Sequence, residues 1–271
     1  MKNLLCSSAA CAMLAFFGST AFAAEDPAIQ PKPYEALAVT YDTTGTDDAD
    51  LKALIETLKV AISTGDVATL KASAAPEVKI YSPMIGFPDA TPADALPDPE
   101  KRPGDERLDS AATMSSTGDV DYSREDLDGL VVDLFGNALD SGTIGHSKTA
   151  RGAICSPAEP IFDRDKALAI AEAAGVPAGN LWILSEDTEF HEKPTETSPV
   201  LTKLPAGTIV PFIEGSVDGE DGTADWYSVA LPSGKLGYST NDISLGFQAT
   251  SVCYGKIEGK WMVTAVIVPG L

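Results

Sequence analysis

Cysteine, histidine and positive charge are all scarce in this chain. Of its 271 residues 4 are cysteine and 2 are histidine, and 19 Lys and Arg stand against 40 Asp and Glu, a net charge of −21. With His146 and His191 the only imidazoles, a zinc site of the usual His and Cys kind is hard to assemble, and no cofactor is expected. A field of this sign repels phosphates, which speaks against nucleic acid and anionic membrane surfaces as partners. A membrane-spanning run is missing as well. The apolar stretch from Leu4 to Phe17 is shorter than the roughly 20 residues that cross a bilayer.

That stretch has another reading. Lys2, the apolar run and the small-x-small sequence Ala21-Phe22-Ala23 stand in the order of a secretory signal peptide, with cleavage expected after Ala23. Residues 1–23 are thus expected to leave, and the mature protein to be periplasmic or secreted. A retained anchor lacks a following stop-transfer pattern. A lipoprotein lacks the right cysteine, because Cys6 and Cys11 precede most of the apolar core. The signal carries one lysine and no carboxylate, so the mature chain is one unit more acidic than the whole.

Only Cys155 and Cys253 then remain, and in an oxidising compartment they are most simply one disulfide. Closing so long a loop contributes on the order of 4 kcal/mol. The rival reading makes Cys155 a nucleophile with His146 or His191 as base. A reactive thiol needs a setting that lowers its pKa, commonly a helix N-terminus. Ser156-Pro157-Ala158-Glu159-Pro160 instead puts two prolines between Cys155 and the next helix, which leaves the disulfide as the simpler account.

The pattern along the chain predicts an α+β fold. Residues 24–50, rich in Pro, Asp, Thr and Gly, read as a lead-in segment. Asp50 is expected to cap a helix whose Leu51, Leu54, Ile55, Leu58 and Ile62 share a face, and Gly65-Asp66 to open a second short helix carrying Val67 and Leu70. The strand Val78–Tyr81 follows. Helix, Gly-Asp turn, helix and strand together resemble the opening of nuclear-transport-factor-like cone folds. Residues 88–121, dense in Pro, Asp, Glu, Ala and Ser without apolar periodicity, are expected to be flexible. Ser123 and Asp126 form a capping box before the stripe Leu127, Leu130, Val131, Leu134, Phe135 and Leu139. Asp163 is expected to cap a helix that runs to Ala174 and stops at Gly175.

After Trp182-Ile183-Leu184 the texture changes to short strand-like runs between Gly, Pro and Asp. Ser198-Pro199-Val200 leads to Leu204 and Gly207. Ile209–Ile213 reads as a central strand, Asp225-Trp226-Tyr227-Ser228-Val229 as an aromatic-aromatic strand, and Ser233-Gly234-Lys235-Leu236-Gly237-Tyr238 as a hairpin, with Ile243-Ser244-Leu245 last. In this order they resemble the bacterial Src-homology-3-like domain family over residues 188–245. The resemblance implies a small β-barrel over residues 186–246, inserted into a mixed helix and sheet domain of residues 51–185. Ser251–Ile257 and Lys260–Ile267 flank Glu258-Gly259 as a hairpin too apolar to stand in water. Residues 247–271 are therefore expected to return to the first domain and complete its sheet.

Strict alternation puts Tyr227, Val229 and Leu231 on one face of their strand and Trp226 with Ser228 on the other. With Val229 and Leu231 in the core, Trp226 either stands outward as a flat platform for a peptide or sugar, or packs beneath the preceding loop or against the N-terminal domain. Phe190 and Tyr238 face the same choice, and core packing with its hydroxyl at the surface suits Tyr238. Trp226, Tyr227, Tyr238 and Phe190 are the candidate ligand-binding residues.

Catalytic motifs are weak. His146 has no Gly-x-Ser-x-Gly elbow to serve, and no pair among the many carboxylates stands out for glycoside hydrolysis. The acidic groups Asp42, Asp47, Asp48, Asp50 and Asp218, Glu220, Asp221, Asp225 lack EF-hand order and read as solvated turns. The expected function is non-catalytic: an exported binding or scaffolding protein that holds a protein, a peptide or peptidoglycan on its barrel. The alternative is a cell-envelope hydrolase with acidic catalytic residues in the N-terminal domain and the barrel as targeting module.

Overall fold

The structure is a computed structural model that describes residues 30–83, 94–116, 122–219, 225–240, 245–246 and 249–270. The expected signal peptide, the acidic run 220–224, Ile243-Ser244 and residues 88–93 and 117–121 of the expected flexible stretch lie outside the described residues.

Helices and strands are both present, as an α+β fold requires. Helix α1 (Ala49–Thr64) begins two residues earlier than its sequence suggests. Asp48, not Asp50, is the cap, its Oδ1 accepting from the backbone N–H groups of Asp50 and Leu51 at 2.9 and 3.2 Å. Asp50 falls in the first turn, where its charge opposes the helix dipole. Gly65 ends α1 at φ 66°, a conformation that glycine adopts without steric cost, and Asp66 caps α2 (Val67–Ala72). Strand β1 (Ala74–Tyr81) follows.

Within residues 88–121, expected to be flexible, Gly104–Ser115 is helix α3. Gly104, Arg107, Leu108 and Ala111 are buried at helical spacing, with Gly and Arg in two apolar positions, so the stripe does not register as hydrophobic. A side chain at Gly104 would overlap the Ala75 carbonyl oxygen, so glycine is what lets α3 lie against β1. Helix α4 (Arg124–Asp140) carries the expected Ser123–Asp126 capping box.

Strands β2 (Gly145–His146) and β3 (Ile154–Ser156) precede α5 (Arg164–Ala174), which is capped by Asp163 and closed by Gly175 as expected. A 3-10 turn at Ala178–Asn180 leads to β4 (Leu181–Ile183), β5 (Thr188–His191), β6 (Val200–Leu204), β7 (Ile209–Asp218), β8 (Asp225–Ala230), β9 (Leu236–Ser239) and β10 (Leu245–Gly246). The chain ends in β11 (Ser251–Ile257) and β12 (Lys260–Ile267), joined through Glu258 and Gly259, both at positive φ as a two-residue hairpin loop demands.

The strands form two sheets. The first has the order β1-β12-β11-β3-β2, so the C-terminal hairpin occupies its middle and β12 runs parallel to β1. Leu51, Leu58, Leu108, Leu134, Phe135, Val252 and Tyr254 fill its main core between helices and sheet. A smaller cluster contains Ala150, Ala153, Cys155, Cys253, Ala265 and Ile267. Cys155 and Cys253 are register partners on β3 and β11 and are joined by a disulfide across 98 residues.

The second sheet has the order β10-β4-β7-β8-β9-β5-β6, and among the described residues it does not close into a barrel. The reason lies in β4, which comes from residues before the expected start of the barrel. It pairs with the first residues of β7 on one side and with β10 on the other, leaving β10 and β6 at opposite edges. Leu184, Phe190, Leu204, Val210, Val229 and Leu231 make one core of this sheet, while α5 packs Ala167, Ile170 and Ala171 against Leu181, Ile183 and Ile209. The lead-in segment straps these parts together. Lys32 N–H donates to Ala173 O, Tyr34 N–H to Pro232 O and Val39 N–H to Gly207 O, while Asp42 O accepts from His146 N–H at 2.7 Å.

Candidate functional site

Strand β5 is where the second sheet turns polar. Thr188 and Phe190 are buried on its inner side, whereas Glu189 and His191 alternate onto the other face. Glu189 lies in register with Lys203 of β6, and His191 with Tyr238 of β9. Before the strand, Asp187 Oδ1 accepts from Ala206 N–H at 3.1 Å. After it, the loop to β6 is pinned: Glu192 N–H donates to Pro199 O at 2.9 Å, and Lys193 N–H to Ser198 Oγ at 3.0 Å. His191 Nδ1 lies 3.0 Å from the Ser198 carbonyl oxygen, and since a carbonyl only accepts, this nitrogen carries the proton.

These elements surround an open groove of about 410 Å³ lined by Asp187, Glu189, His191, Glu196, Lys203, Trp226, Ser239 and Thr240. Three carboxylates thus face one ammonium. Trp226 is 2% exposed, so it is no free-standing platform; it belongs to the buried alternative. It is nonetheless part of the groove lining, with the His191 ring edge-on at 5.6 Å between centroids. Its indole N–H has no hydrogen-bond partner among the described residues. An unpaired buried donor of this kind costs roughly 1–3 kcal/mol and calls for an explanation.

The other candidate residues lie elsewhere. Phe190 is fully buried in the core, and Tyr227 packs against that core with Phe212, 6.4 Å away between ring centroids. Phe190 thus offers no surface to a ligand, whereas Tyr227 is half-buried. Tyr238 is half-buried on β9, beside His191 but not in the groove lining. Missed by sequence reasoning were Asp187, Glu189, Glu196 and Lys203. Strand alternation places Glu189 beside His191, but nothing local reveals that β5 and β8 turn those faces toward a shared groove.

The family and homology comparisons are negative. No protein-family model matches the chain, and no curated protein or solved structure does.

Hydrolytic alternatives find little to work with. Cys155 is engaged in its disulfide. His146 sits on β2, in the other sheet from His191. Asp109 and Asp128 do converge, but around cations: Lys71 Nζ lies 2.6 Å from one and 2.8 Å from the other, and Arg124 lies 2.9 and 3.2 Å from the same pair. The Lys71 hydrogen bond lowers the Asp128 pKa, the wrong direction for a general acid. Among the described residues no group of three or more His, Cys, Asp or Glu is placed to hold a metal. Asp42 accepts from Thr44 N–H, Asp47 pairs with Lys52 and Asp48 caps α1, so this acidic run is spent on turns and caps.

Proposed function

We propose that this chain is a non-catalytic, exported binding protein of the cell envelope, and that its Src-homology-3-like segment holds a peptide or protein partner in the groove lined by Trp226. One observation carries the reading: a nearly inaccessible indole with an unused N–H donor lines an open, mostly acidic groove. The indole contributes an aromatic, apolar edge to a lining that is otherwise polar, a combination that suits a peptide or protein segment. The disulfide suits an oxidising compartment, and the acidic balance of the chain suits a partner of opposite charge.

The test follows the Trp226 indole N–H by nuclear magnetic resonance, assigned among the 3 tryptophans by a Trp226→Phe variant. Mature protein is titrated with a panel of short peptides of varied charge and with solubilised cell-wall fragments. A saturable shift of that resonance by a panel member, weakened in affinity by Trp226→Phe, is the expected result. A resonance unmoved by every component removes the groove from consideration. Mass spectrometry of protein recovered from the envelope is expected to find Ala24 at the N-terminus.

A further inference from the structure

We propose that the loop between β2 and β3 is a receptor for an oxyanion, the carboxylate or phosphate of a partner, and that in the free protein Glu159 fills it as an autoinhibitory contact. Ser147 Oγ–H and the backbone N–H of Lys148 each donate to Glu159 Oε2 at 2.9 Å, and the N–H of Thr149 donates to the same oxygen at 3.1 Å. Successive backbone N–H groups aimed at one point form an anion-binding concavity, a device that also captures peptide carboxylates. The donors are held in place without help from Glu159. Ala150 N–H donates to Ser147 Oγ at 2.9 Å, Ser147 N–H to Ala153 O at 3.1 Å and Ala153 N–H to Ala150 O at 3.0 Å, and Ser147 is buried. Removing the glutamate therefore vacates the receptor and leaves its walls standing.

Glu159 is half-buried, so the receptor reaches the surface, where Lys148 and Arg151 of the same loop stand exposed. The net charge of the chain disfavours a free anion, and these two cations offset that field locally. Glu159 lies on the segment that joins β3 of the first sheet to α5, which packs on the second. Two residues further on, Ile161 N–H donates to Thr40 O at 2.8 Å and Thr40 N–H to Ile161 O at 2.9 Å, which ties that segment to the lead-in strap. An oxyanion that takes the receptor thus frees Glu159 and loosens the connection between the two sheets. Being tethered, Glu159 competes at an effective concentration on the order of millimolar or above. A ligand displaces it by adding contacts to Lys148 and Arg151.

The test follows the Lys148 and Thr149 amide resonances of the chain prepared without residues 1–23, with acetate and inorganic phosphate as probes and chloride holding the ionic strength constant. In Glu159→Ala both amides are expected to shift saturably. The parent is expected to need about tenfold more of the same probe, because Glu159 competes. Adding Ser147→Ala to the vacated variant is expected to weaken binding about fivefold. Glu159→Gln, which keeps a neutral acceptor in the receptor and so guards against loss of fold, is expected to fall between the parent and Glu159→Ala. The probe that saturates at lower concentration identifies the partner group as carboxylate or phosphate. Shifts that stay linear in both variants, or equal affinity in the parent and Glu159→Ala, overturn the receptor. Saturation of the parent without faster amide exchange at Ile161 overturns the autoinhibitory contact.

Discussion

Lys256 Nζ lies 2.8 Å from Asp48 Oδ2, although 208 residues separate the two in the chain. The same ammonium stands 5.1 Å from the centre of the Trp261 ring. Asp48 thus does two things, capping α1 with one oxygen and holding β11 of the C-terminal hairpin with the other. The hydrogen bond from Lys256, then those from the α1 backbone, lower its pKa to about 2.

A pH dependence follows from that depressed value. A carboxylate whose folded pKa lies below its unfolded one stabilises the fold above the unfolded value, near 4, and stops doing so as pH falls through the folded value. Asp48→Asn keeps the cap and loses the charge. Urea midpoints of this variant and the parent are expected to differ at about pH 5 and to converge toward about pH 2. A gap that stays constant over this range speaks against the pairing with Lys256.

The Cys155–Cys253 bridge closes a loop that contains α5 and every strand of the second sheet, while the lead-in strap lies outside it. Replacing both cysteines by serine is expected to cost about 4 kcal/mol in urea unfolding. Thiol titration of denatured, unreduced protein prepared without residues 1–23 is expected to find no free group, and two reactive thiols contradict the bridge.

Tyr254 is completely buried in the main core, and its hydroxyl has no hydrogen-bond partner among the described residues. Burial accordingly pushes its pKa far above the usual tyrosine value. Tyr254→Phe removes the orphan and keeps the ring, so it is expected to stabilise the protein by about 1 kcal/mol. Loss of stability in thermal or urea unfolding indicates a partner for that hydroxyl.

Gly104→Ala probes whether α3 lies on β1 as described. The added methyl overlaps the Ala75 carbonyl oxygen, a backbone atom of β1, and presses on the buried Val78 side chain. A loss of about 1–3 kcal/mol is expected, with faster amide exchange in α3 than elsewhere. A neutral effect means that the helix is not held against the strand.

What the sequence carried by itself was local. The Ser123–Asp126 capping box, the Gly65 and Gly175 stops, the Glu258-Gly259 turn and the apolar stripe of α4 act through residues a few positions apart, so their chemistry is written in short stretches. The cysteine pairing was legible by count, once residues 1–23 with Cys6 and Cys11 are read as a signal. Tertiary structure decided the rest. It turned Gly104 and Arg107 into buried positions and seated β4 beside β7, leaving the second sheet open. It also covered Trp226 and drew Glu189 and Glu196 to one groove. These outcomes depend on contacts between distant segments, where small and charged residues are buried or grouped by what lies across from them and not by their own hydropathy.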